Sequence, residues 1–213
     1  MSLNETFKNS WKEILVIIIA SIILGASFSY LNYSEILITI TSFFILISIN
    51  IIAKKIMAYY YEANIQTRFW KWYQHGFSKK AHFKKPIPML WLPILVSLIS
   101  RAAFQWMGIL EFDITPKTER VSKRHGLYRF TEMVEFHIAI IAATGIIINI
   151  LLAIIAYIAG LTTFAQLNIY YAFWSIIPIS SLDGSKILFG SKVLWTILFI
   201  ITFLLTAGCL IIP

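Results

Sequence analysis

The chain has 213 residues, 59% of them hydrophobic and only 13% charged, with a mean hydropathy of +0.78. Ordinary soluble domains are roughly 45–50% apolar, so this composition excludes disorder, collagen-like repeats and most soluble folds. The net charge of +8, from 18 Lys and Arg against 10 Asp and Glu, points to anionic headgroups as the counter-charge, because little water-facing surface is left for a nucleic acid.

The single cysteine, Cys209, excludes an internal disulfide and a cysteine zinc cluster. There is no internal repeat and no glycine-rich phosphate loop. The chain reads as one membrane domain over 1–213, an all-α polytopic protein integral to the cell membrane, with the lipid bilayer as its first partner.

A spanning helix needs about 20 largely apolar residues. The first uncharged run, 14–31 (ILVIIIASIILGASFSYL), comes close. It is expected to stay as an uncleaved anchor, being longer than the roughly 7–15 apolar residues of a signal peptide and followed by a poor cleavage site. Further spans are expected at 36–53, 136–161, 164–182 and 193–212, five in all.

The segment 87–110 is apolar but contains Pro88, Pro93, Gly108 and Arg101, and an arginine at mid-span costs about 2.5–3.5 kcal/mol on insertion scales. The loop before it, 54–86, carries Lys54, Lys55, Arg68, Lys71, Lys79, Lys80, Lys84 and Lys85. The loop after it carries Lys117, Arg120, Lys123, Arg124 and Arg129. Both loops obey the positive-inside rule only if 87–110 enters and leaves by one face, as a re-entrant or interfacial element.

That places the N-terminus in the cytoplasm and the C-terminus outside, with the Lys- and Arg-free links 32–35 and 162–166 as outer loops. The aromatic-basic run RFWKWYQHGF (68–77) belongs at the cytoplasmic interface. The text EFDITPKTERVSKRHGLYRF (111–130) is compatible with a short β-hairpin. Arg101 is expected to snorkel, or to pair with Glu111 or Asp113.

In so apolar a chain the informative positions are polar groups at membrane depth, each of which needs a partner or a wet cavity. Asp183 lies where Pro178 breaks the 164–182 span and Ser180, Ser181 and Gly184 open the backbone. Its two readings are an inward-aimed carboxylate and a solvated membrane-exit turn. At the end of the second span, Asn50 and Lys54 share a helix face by their four-residue spacing. Lys55 reads as a headgroup anchor, and Lys54 is either a second anchor or an inward group. Gly145 and Asn149 on the 136–161 span read as close helix packing or an interhelical hydrogen bond.

The text PISSLDGSKIL, with the preceding broken helix and the Gly145-x-x-x-Asn149 span, resembles the site-2 protease family of intramembrane zinc metalloproteases, especially its short archaeal members. The likeness covers about residues 36–195. It implies a motif of the form Asn-x-x-Pro-x-x-x-Leu-Asp-Gly, here Ser175, Pro178, Leu182, Asp183 and Gly184, in which the aspartate would be a zinc ligand. It also implies a His-Glu-x-x-His helix, in which two histidines hold zinc and the glutamate activates water. By span order those catalytic positions fall on Asn50, Ile51 and Lys54. An ammonium has no lone pair to donate and repels a metal, and without the glutamate nothing there takes the proton of a water.

His75, His82, His125 and His137 lack a second histidine at helical spacing and read as interfacial or solvated groups. The resemblance therefore leads to a catalytically inactive pseudoprotease without a cofactor, in which Lys54 stands in for the metal's charge and pairs with Asp183. Its expected partners are transmembrane segments of other proteins. Two alternatives stand beside it. One is an active zinc protease with unusual ligands, Asp183 joined by His75 or His82. The other is a small transporter or channel component with Arg101, Lys54 and Asp183 along a polar path. Nucleic-acid binding is not expected, since a membrane interface accounts for the basic aromatic run.

Overall fold

A computed structural model describes residues 3–29, 33–74, 82–101, 103–117 and 133–211. Besides two single 3₁₀ turns, the described chain runs α1 (Leu3–Phe28), α2 (Ile36–Tyr60), β1 (Ala63–Phe69), β2 (Lys71–Gln74), β3 (His82–Pro88), α3 (Leu92–Ile99), β4 (Leu110–Pro116), α4 (Glu135–Ile158), α5 (Thr162–Ile176), α6 (Asp183–Gly190) and α7 (Lys192–Ile211).

Four of these helices, α1, α2, α4 and α7, are long and apolar enough to cross a bilayer. The 25 residues of α2 rise about 37 Å, against roughly 30 Å of hydrocarbon. Ile22, Leu37, Ile52, Ile155, Ile158 and Leu204 are exposed on these helices, which suits contact with lipid and would be unfavourable in water. The run 164–182 behaves differently. It yields α5, whose 15 residues rise only about 22 Å. Pro178 ends it, holding Ile177 in the extended region at φ −66°, ψ 127°.

The interface between α1 and α2 continues into one between α2 and α4, and α4 in turn packs against α5 and α6. Two buried clusters result. One gathers Ala58, Ile65, Phe112, Ile141, Ile146 and Ile187; the other gathers Leu24, Phe43, Ile47, Ile51, Ile109 and Tyr171.

The basic loop 54–86 is not wholly a loop. It begins as the last turns of α2, and β1 then leaves through Glu62, held at φ +53°. Along β1, Ala63, Ile65 and Thr67 point inward while Asn64, Gln66 and Arg68 point out, the alternation of a half-buried strand. β1 pairs antiparallel with β4, and β2 with β3. The first part of the hairpin expected within 111–130 is strand β4, whose described partner is β1, Ile65 and Phe112 completing the same core; the rest of that hairpin falls outside the described residues. Residues 118–132 lie outside the described residues.

The segment 87–110 closes on itself. Trp70, fully buried, accepts a hydrogen bond from Met89 N through its carbonyl (3.1 Å) and donates one from its amide to Ile109 O (2.8 Å). The excursion between those residues therefore starts and ends at one point. Its apex, α3, reaches the far end of α1, where Ser27 Oγ donates to Pro93 O and Ser97 Oγ to Ser27 O, both at 2.9 Å.

Candidate functional site

Lys54 is carried inward on the face of α2 that also holds Asn50. The space for it is made by Gly145 of α4, where a Cβ would lie 2.2 Å from Lys54 Cε and 2.9 Å from Asn50 Nδ2. Asn50 Nδ2 donates to Gly145 O at 2.8 Å and ties the two helices together. On the other side, the chain reverses between α5 and α6 with Ser180 at φ +49°. Gly184 permits that reversal, since a Cβ there would lie 2.1 Å from Ile176 O. Asp183 is thereby the first residue of α6.

Lys54 Nζ donates to Asp183 Oδ2, and the two side chains are 9% and 7% exposed. Asp183 Oδ1 has no hydrogen-bond partner among the described residues. Asn50, Ile51, Lys54, Ser175, Leu182 and Asp183 all border one cavity of about 20 Å³, room for about one water. Gly145 lies behind Lys54. Asn149, one turn further along α4, is fully buried, with both amide atoms unpartnered among the described residues, and does not border the cavity.

Sequence reasoning missed the opposite wall, supplied by β4 and the stretch before it. Glu111 is 2% exposed. Arg68 Nε donates to Glu111 Oε1 at 2.8 Å, Arg68 Nη1 lies 2.5 Å from Asp113 Oδ2, and Ser181 Oγ donates to Glu111 Oε2. Burial opposes the charge on Arg68, but the Glu111 hydrogen bond and the charges of Asp113 and Glu111 outweigh it and hold the guanidinium above its ordinary value. The expected pairing of Arg101 with Glu111 or Asp113 is therefore corrected. Both carboxylates are taken by Arg68, the register partner of Glu111, and Arg101 is exposed at φ +51°. The alternation of Asn64, Gln66 and Arg68 with Ile65 and Thr67 was the available signal.

A second ammonium stands close by. Lys186 of α6 donates to Phe112 O and lies 3.6 Å from the Phe112 ring centroid, with Lys54 Nζ at 5.1 Å from the same centroid. Burial pushes Lys186 down to about 8, and the charge of Lys54 adds to the effect while that of Asp183 opposes it.

At Asp183 one carboxylate oxygen accepts from the Lys54 ammonium and the other has no partner among the described residues, and the neighbouring Asn50 is an amide held by Gly145. Among the histidines, His137 stacks on Tyr61 at 4.5 Å and does not border the cavity. His75, His125 and the side chain of His82 lie outside the described residues. Comparison with protein-family models, with curated proteins and with solved structures finds no match for this chain.

Proposed function

We propose that this chain is a site-2-protease-like membrane protein that binds transmembrane segments of other proteins without cleaving them. The observation that carries the reading is the buried pair of Lys54 and Asp183, in which an ammonium sits against the carboxylate that the resemblance makes a metal ligand. Five crossings are proposed, with α5 and the extended residues that follow it forming the fourth and 87–110 as a re-entrant loop. A cytoplasmic N-terminus is favoured by Lys12, Lys55, Arg68 and Lys117, which border one cleft at the same end of α1 and α2.

An apolar groove of about 430 Å³ between α2 and α4, bordered by Ala53, Ile56, Met57, Tyr60 and Thr144, has the chemistry to seat an incoming apolar helix. A photo-crosslinking residue placed at Ile56 in native membranes tests this. The reading predicts adducts with full-length membrane proteins. Adducts with lipid alone, or with shortened partner fragments, would overturn it.

A further inference from the structure

Away from the Lys54–Asp183 site, α1 and α2 frame a second place with the chemistry of a ligand site. A cleft of about 600 Å³ is bordered by the start of α1, the end of α2 and the outer edge of β1. Four cations, Lys12, Lys55, Arg68 and Lys117, face it together with two carboxylates, Glu13 and Asp113. The carboxylates are already used: Glu13 accepts from Lys55 Nζ and from Thr67 N, and Asp113 is held by Arg68. Lys12 and Lys117 have no carboxylate partner among the described residues, and Lys117 Nζ stands 4.4 Å from the Tyr59 ring centroid. With Glu111, which also accepts from Arg68, counted, the four cations exceed the carboxylates by one, and Lys12 and Lys117 are the two left open to a ligand.

The cleft does not end at its polar floor. Glu13 and Lys55 also border an apolar groove of about 290 Å³ between α1 and α2, with Ile14, Ile17, Phe44 and Ile52 along it. Between Phe44 and Lys55, α2 rises about 16 Å, half of the roughly 30 Å hydrocarbon layer. A basic chamber opening into an apolar channel one leaflet deep matches a headgroup joined to an acyl chain, and a free anion would use only the first of the two.

We infer that this paired cleft and groove bind one anionic phospholipid, its phosphate between Lys12 and Lys117 and one acyl chain between α1 and α2. The cation excess selects against a zwitterionic headgroup, and the groove retains the lipid when the surrounding bilayer is removed.

The test uses the full chain in nanodiscs of equal phosphatidylglycerol and phosphatidylcholine, released for native mass spectrometry. One phosphatidylglycerol should be retained over phosphatidylcholine by at least tenfold, and millimolar inorganic phosphate should not displace it. Lys12→Gln with Lys117→Gln should abolish the preference. Ser48→Trp, which fills the groove and leaves the cations in place, should reduce retention tenfold. Equal retention of the two lipids, displacement by phosphate, or retention unchanged in either variant would overturn the proposal.

Discussion

Lys54 and Asp183, separated by 129 positions in the sequence, meet in the interior as a buried ion pair. The meeting depends on two close approaches, Gly145 against Lys54 and Gly184 against Ile176 O, so the charges are held by backbone packing as much as by attraction. A buried pair is a weak source of net stability, but breaking one side leaves a charge with no solvent. Lys54→Met and Asp183→Leu are each expected to cost about 3–5 kcal/mol. Lys54→Met combined with Asp183→Leu should recover most of that loss. Unfolding in a graded denaturing detergent, read as a double-mutant cycle, measures the coupling.

Gly145→Ala is expected to push α2 from α4, since its Cβ would fall 2.2 Å from Lys54 Cε. The cost should be about 1–3 kcal/mol. In a Lys54→Ala background the added cost should fall but not disappear, because the nearest obstruction is gone while Asn50 Nδ2 still lies 2.9 Å from the added Cβ. Equal costs in both backgrounds would show that some other contact is strained.

Arg68 holds the buried Glu111, whose side chain is 1% exposed. Arg68→Ala should therefore destabilise by about 3–5 kcal/mol, whereas Asp113→Ala, removing a half-exposed partner, should cost no more than about 1 kcal/mol. Arg68→Lys should rescue only part of the loss, since a lysine lacks the fork that reaches both carboxylates. Thermal unfolding of the three variants in one detergent gives the ranking.

The helical runs and the polar positions Asn50, Lys54 and Asp183 were legible in the sequence, because a charge within apolar text has few explanations. The opposite wall was not. Glu111 reads as a partner for Arg101 until Arg68, on a strand 43 positions earlier, is set beside it, and that pairing depends on long-range strand register. The break at Pro178 in the 164–182 run was legible too, since a proline overrides apolar content, and α5 stops at Ile176. The closure of the 87–110 segment at Trp70, through its two backbone hydrogen bonds with Met89 and Ile109, has no local signature.

Lys186 supplies a pH dependence. Below about pH 8 it is charged in both the folded and the unfolded chain, and the full penalty of burying it is present. Between about 8 and the ordinary value of 10.5, the unfolded chain still holds a proton that the folded one has released. Stability contributed by this group therefore rises with pH across that window, by up to about 3 kcal/mol. Lys186→Met should remove the slope, which thermal midpoints from pH 7.5 to 10.5 would reveal.

Zinc content of the detergent-purified protein, by elemental analysis beside an Asp183→Ala variant, tests the central claim that an ammonium occupies the metal's place. The account predicts zinc far below one per chain in both proteins. Near-stoichiometric zinc in the parent, lost in Asp183→Ala, would contradict it.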